Sequence, residues 1–141
     1  MHHEHQKIRD VMTPDPTAIE PSTPLVEAAR LMRDQDVGPL PIVEGERVVG
    51  MLTDRDIVVR AIAEGRDPQS VTAHEVASKQ LVTIDPEQPL DEAARLMAQH
   101  QVRRLPVCEE DGRLVGIVAQ ADVAIEAPAE KAGHVVGEIS K

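Results

Sequence analysis

Residues 21–44 read PSTPLVEAARLMRDQDVGPLPIVE, and residues 86–109 read PEQPLDEAARLMAQHQVRRLPVCE. The two stretches align without a gap at a spacing of 65 residues, and 13 of the 24 positions are identical. After one extra residue in the second copy, Val48-Val49-Gly50-Met51-Leu52 lies over Leu114-Val115-Gly116-Ile117-Val118. A duplication this clear constrains architecture more than composition does. It predicts two similar half-domains packed as a pseudo-twofold pair, with related clefts where the copies meet.

Within the first copy, Thr23-Pro24 predicts a helix start, with the hydroxyl as N-cap and proline at the first helical position. Leu25, Ala28, Ala29 and Met32 recur at helical spacing, while Glu27, Arg30 and Arg33 point elsewhere. Residues 40–43 and 48–52 are short apolar runs joined by a glycine-containing turn, which reads as a hairpin. A helix from about 54 to 64 follows and stops near Gly65. Upstream, residues 8–12 form a short helical turn ended by Thr13-Pro14-Asp15-Pro16, and Thr17-Ala18-Ile19 reads as a brief strand.

Each copy is then strand–helix–strand–strand–helix, an α/β (α+β) pattern. The second copy repeats it over residues 81–125, with the turn at Asp111-Gly112. The expected organisation is a flexible segment over 1–7, repeat 1 over 8–70 and repeat 2 over 71–126. Residues 66–70 serve as a polar connector, and a tail over 127–141 carries a short helix at 134–139.

The chain has 141 residues and each copy only about 55, a size at which a lone core is marginal, so a shared core is expected. There is no Phe, Trp or Tyr, so Val, Leu, Ile, Ala and Met must build the interior. That also removes base stacking on aromatic rings. A net charge of −10, from 25 acidic and 15 basic residues, repels polyanions and argues against nucleic acid as a partner. The single cysteine, Cys108, fits a reducing cytosol and reads as a small buried apolar side chain. No apolar run approaches the roughly 20 residues that span a bilayer. The amino terminus MHHEHQKIRD lacks the apolar core of a signal peptide. These features predict a soluble, cytoplasmic protein that engages no membrane.

Enzyme chemistry finds little support. No Ser–His–Asp order with a nucleophile turn, HExxH, CxxC, P-loop or GxGxxG is present. Asp54 and Asp56 are close in sequence, but two carboxylates without a nucleophile or metal shell define no reaction. His2, His3 and His5, with Glu4 among them, have the spacing of metal ligands but read as part of a loose polar tail, so no metal site is expected. His100 falls at the end of the second-copy helix, where a partial positive charge suits the helix dipole.

Three stretches, in order and repeated, carry a resemblance. They are the Pro-Leu-x-Glu-Ala-Ala helix start, the Val-x-x-Leu-Pro-(Ile/Val) strand, and Gly50-Met51-Leu52-Thr53-Asp54-Arg55-Asp56-Ile57. Over residues 8–126 the chain resembles a CBS-domain pair, or Bateman module. It is similar to the small stand-alone members, the hypoxic response type among them, because nothing catalytic is fused to it. The resemblance implies a regulatory module that binds AMP, ADP, ATP or a related adenosine ligand in composite clefts between the copies. NAD and S-adenosylmethionine share the ribose and adenine. It also implies a homodimer formed through helical faces, and leaves room for an unidentified protein partner.

Carried over residue by residue, the resemblance assigns one cleft to Thr53, Asp54, Arg55 and Asp56 of copy one with Val82, Val102, Arg103 and Arg104 of copy two. The carboxylate accepts from ribose hydroxyls, the hydroxyl and helix start favour a phosphate, and the arginines complete the phosphate site. The second cleft combines Asp122 with Val37, Gly38 and Pro39. Its threonine position is Ala119 and its arginine positions are uncharged, so it is degenerate.

Other readings stand beside these. Thr53-x-x-Asp56 is also a helix start close to a capping box, although Asp122 persists where Ala119 cannot cap. Arg103 and Arg104 also read as surface residues paired with carboxylates, and strand alternation aims at most one of them into a cleft. A ligand-independent dimerisation or partner-interaction module, with its nucleotide cleft decayed, is the alternative function.

Overall fold

The structure is a computed structural model that describes residues 6–78 and 80–126. The histidines at positions 2, 3 and 5, and the helix expected over 134–139, lie outside the described residues. In chain order the elements are α1 (Ile8–Val11), β1 (Thr13–Pro14), α2 (Leu25–Gln35), β2 (Leu40–Glu44), β3 (Arg47–Leu52) and α3 (Asp54–Ile57). A π-helical stretch, Val58–Ile62, continues α3; then come α4 (Ala73–Val76), α5 (Leu90–His100), β4 (Arg104–Cys108), β5 (Leu114–Ala119) and α6 (Gln120–Glu126).

Two compact units result. Unit 1 joins Met1–Pro16 to Val82–Lys141, and unit 2 is Thr17–Leu81. The units therefore cross the repeat boundaries at 8–70 and 71–126. The short helix before each copy packs against the other copy's helix start. In unit 1 the Ile8 amide donates to the Gln88 carbonyl at 2.9 Å and the Arg9 amide to the Pro86 carbonyl at 3.0 Å. In unit 2 the Ala73 amide donates to Thr23 at 2.8 Å and the His74 amide to Pro21 at 3.0 Å. These are the same bonds moved by 65 residues at both ends.

Unit 2 holds the β2–β3 hairpin, antiparallel with Leu40 opposite Leu52, a turn at Gly45 (φ 66°) and an irregularity between Ile42 and Val43. Unit 1 holds β4–β5, with the same irregularity between Val107 and Cys108, and β1 adds a third strand along β5. The strand expected at residues 17–19 reduces to a parallel bridge. The Ile19 amide donates to Pro41 and the Val43 amide to Ile19, as Ile84 does with Pro106 and Cys108 in unit 1.

The start of α2 differs from the expectation. Pro24 itself takes the N-cap place in extended conformation, and the Thr23 hydroxyl accepts from the Glu20 amide at 3.1 Å instead of capping. The Thr23 carbonyl is committed to Ala73, which holds the residue outside the helix. Leu25, Ala28 and Met32 are buried, but Ala29 is exposed. Its match Ala94 is buried in unit 1, where α5 packs along α6.

Both long helices end on a left-handed residue, Asp36 and Gln101, each with φ 55°. The next amides, Val37 and Val102, then reach back to the carbonyls of Met32 and Met97 at 3.0 and 3.1 Å. The helix over 54–64 is helical as expected, but after Ile57 it widens. The Ala63 amide donates to Val58, five residues back, at 2.8 Å, before Gly65 (φ 72°) ends it.

The buried apolar residues form two clusters, where copy size had predicted a single shared core. Ile8, Ile84, Leu90, Met97, Leu105, Val107, Val118 and Val123 anchor unit 1. Ile19, Leu25, Met32, Leu40, Ile42, Leu52, Ile57 and Val76 anchor unit 2. The exchanged segments explain this: Ile8 and Val76 each enlarge a core built mainly by the other copy. A fully buried side chain of this size contributes about 1.5–3 kcal/mol.

Candidate functional site

Thr53 leaves β3 in extended conformation (φ −112°, ψ 161°) and begins α3. Its hydroxyl accepts from the Asp56 amide at 3.0 Å, and Asp56 Oδ2 accepts from the Thr53 amide at 2.9 Å. This reciprocal cap satisfies two amides that no helical carbonyl reaches. The Asp56 side chain is only 12% exposed, and its Oδ1 lies 3.9 Å from Arg60 Nε. Arg60 Nη1 in turn points at the carbonyls of Val76 and Ala77, at 3.4 and 3.5 Å. Sequence reasoning did not single out Arg60; its place four residues after Asp56 was the available signal.

Asp54 and Arg55 are exposed, and Asp54 Oδ1 accepts from the Arg55 amide at 3.1 Å. Gly38 lies against the same carboxylate, since a Cβ there would stand 3.3 Å from Asp54 Oδ1. Val37 packs against the unit-2 core, and Pro39 is half-buried. Unit 2 thus brings Thr53 and Asp56 together, and Gly38 beside Asp54.

In unit 1 the matching helix start keeps half of the cap. Asp122 Oδ2 accepts from the Ala119 amide at 2.8 Å, with no hydroxyl to return a bond. The retained acid therefore has a capping role of its own, which corrects the inference that its persistence argues against capping. Arg104 stands opposite Ala119 in the β4–β5 ladder, and the Arg103 carbonyl accepts from the Gln120 amide at 2.7 Å. Both arginines are exposed, and among the described residues neither forms an ion pair, contrary to the surface-pair reading. Val82 and Val102 pack, half-buried, on the unit-1 core.

Burial pushes the Cys108 thiol up to about 11, so it is a packed side chain and a poor nucleophile at neutral pH. Among the described residues no group of His, Cys, Asp and Glu is placed to hold a metal ion. No helix among them is long and apolar enough to cross a membrane. A cavity of about 580 Å³ lined by Ala18, Ile19, Glu20, Thr23, Val43 and Gly45 lies near the hairpin turn of unit 2, and no expected site residue lines it.

Two hairpins, each feeding a helix through a carboxylate-capped start, define a tandem-repeat module. The chain belongs to the CBS domain family, whose model matches it twice, over residues 8–62 and 73–128. It is 44% identical over 134 residues to the CBS domain-containing protein YhcV of Bacillus subtilis, covering 94% of each chain. It is also 44% identical over 121 residues to Hypoxic response protein 1 of Mycobacterium tuberculosis, covering 85% of this chain and 84% of that one. The crystal structure of Hypoxic Response Protein I with two coordinated zinc ions matches at a TM-score of 0.79 and 42% identity, over 86% of this chain and 99% of that one. The structure of CBSX2 in complex with AMP matches at 0.73 and 26% identity, over 84% and 93%.

Proposed function

We propose that the chain is a regulatory module that binds an adenosine nucleotide and reports it by a change of shape or partner contact. The observation that carries this reading is the half-buried Asp56 carboxylate. One oxygen is held by the Thr53 amide, and the other, 3.9 Å from Arg60 Nε, keeps lone-pair capacity to accept from a ribose diol. The similarity to CBSX2, solved with AMP, supports the same ligand class. Thr53 serves the nucleotide beside Asp56. Asp122 without a hydroxyl at position 119 makes the second site degenerate.

Calorimetric unfolding with millimolar AMP, ADP, ATP, NAD and S-adenosylmethionine tests this, since the chain has no Trp or Tyr to report by fluorescence. A ligand at about 100 times its dissociation constant adds roughly 2.7 kcal/mol, several degrees for a domain of this size. A shift with one compound supports the sensor and names its signal; no shift with any of the five contradicts it.

A second reading is favoured by a different observation. Val58, Val59 and Ile62 are 57%, 44% and 52% exposed on one helix, an apolar face that suits association with a second copy of the chain. In this reading the chain is a dimerisation or partner-interaction module that needs no ligand. Sedimentation equilibrium of the wild type and of Val58→Lys/Ile62→Lys tests it, a homodimer that dissociates in the variant being the supporting result.

A further inference from the structure

Arg60 stands where the half-buried carboxylate of Asp56 meets the end of α4. Its Nε faces Asp56 Oδ1 at 3.9 Å, while Nη1 reaches the Val76 and Ala77 carbonyls at 3.4 and 3.5 Å. Those carbonyls close a single-turn helix and have no helical amide to accept from. A guanidinium is a planar fork with donors on separate edges, so one side chain can hold an anion and a pair of carbonyls together. The second carboxylate oxygen is already fixed by the Thr53 amide. In copy two the position matching Arg60 is Glu126, an acid four residues after Asp122.

We propose that Arg60 is a positioning residue for the Asp56 carboxylate, and that it couples ligand at Asp56 to the seating of residues 72–78. The coupling rests on the nucleotide reading above. A ribose diol donating to Oδ1 shares that oxygen with Arg60, and the same cation holds the segment that ends at the bridge between Met51 and Ser78. Any ligand that shifts the carboxylate therefore shifts the grip on Val76 and Ala77. By linkage, the seating of that segment alters affinity by the same factor.

The test is amide hydrogen exchange by NMR together with calorimetric titration of AMP and ATP, on the full chain as wild type, Arg60→Gln and Arg60→Lys. Without ligand, Arg60→Gln is expected to speed exchange of the Thr53 amide, with Arg60→Lys in between. Nucleotide affinity is expected to fall about tenfold in Arg60→Gln, as for loss of a charge-assisted contact. Bound nucleotide slows exchange over residues 76–78 in the wild type and leaves it unchanged in Arg60→Gln. Unchanged Thr53 exchange in Arg60→Gln overturns the positioning role whatever the affinity. Faster exchange with undiminished affinity, in a chain that binds, overturns the coupling. If the wild type binds neither nucleotide, the ligand reading falls, and the Thr53 amide alone decides whether Arg60 positions the carboxylate.

Discussion

The Thr53 amide donates to the Asp56 carboxylate and the Asp56 amide returns a bond to the Thr53 hydroxyl, at 2.9 and 3.0 Å. Ala119 and Asp122 keep only the first of these bonds. The two copies thus start their second helices with unequal caps, which makes the helix of repeat 1 the better anchored one. Thr53→Ala is expected to cost about 1 kcal/mol, and Ala119→Thr to gain about 0.5–1 kcal/mol by completing the cap. Urea unfolding of the two variants checks both signs.

Gly116 and Gly50 occupy matching places in the two hairpins but differ in what lies over them. A Cβ at Gly116 would meet the Met12 side chain at 2.5 Å and the Thr13 carbonyl oxygen at 3.0 Å, because β1 covers β5 there. At Gly50 the nearest atom is Ile42 Cδ1 at 3.5 Å, ordinary contact. Gly116→Ala is expected to destabilise by about 1–3 kcal/mol, and Gly50→Ala by less than about 0.5 kcal/mol. Thermal unfolding separates them, and Met12→Ala in the Gly116→Ala background should recover part of the loss.

Much of the fold was legible because the duplication displayed each element twice. The hairpins, both long helices and the turn glycines follow from apolar spacing and turn residues. The exchange of the leading segments was not legible. Ile8 can satisfy its amide equally well on residue 23 or residue 88, and a repeat pattern looks the same under either choice. The single turn α4 was missed because its residues AHEV share only one identity, Val76, with the IRDV of α1. Its Thr72-x-x-Glu75 signal repeats the spacing of Thr53-x-x-Asp56, and the Thr72 amide does donate to Glu75 Oε2 at 2.8 Å. Of the candidate site, the Thr53–Asp56 cap was readable from its motif. Arg60 was not, because its partners Val76 and Ala77 are backbone carbonyls, which no side-chain pattern reveals.

Glu87 fastens α1 to the start of the second copy. It accepts from Lys7 Nζ at 2.9 Å and pairs with Arg9, and these two side-chain bonds, Lys7 first, hold its carboxyl below the usual 4.5. A depressed carboxyl contributes stability that is full above its ordinary value and is lost as the pH falls through the lowered one. Glu87→Gln should therefore narrow the stability difference from wild type as acid is added, leaving a constant gap at neutral pH. The pair is exposed, so the gap is small and shrinks with salt. Unfolding curves across the acid range at two ionic strengths check this.

Gln101 ends α5 in the left-handed region, which asparagine and aspartate tolerate better than glutamine does. Gln101→Gly is expected to stabilise the chain by about 0.5–1 kcal/mol, and Asp36→Gly by less. Equal or negative effects at both positions would show that the cap geometry carries no strain. Chemical denaturation of the two variants is sufficient.

The most direct measurement of the central claim is an isothermal titration of the full chain with AMP and ATP, repeated on Asp56→Asn and Asp122→Asn. Asparagine keeps an oxygen for the capping amide and removes the charge, so each helix start stays satisfied while the diol acceptor is weakened. One nucleotide per chain, lost in Asp56→Asn and kept in Asp122→Asn, is the predicted result. No binding to the wild type, or binding that survives Asp56→Asn unchanged, would contradict it.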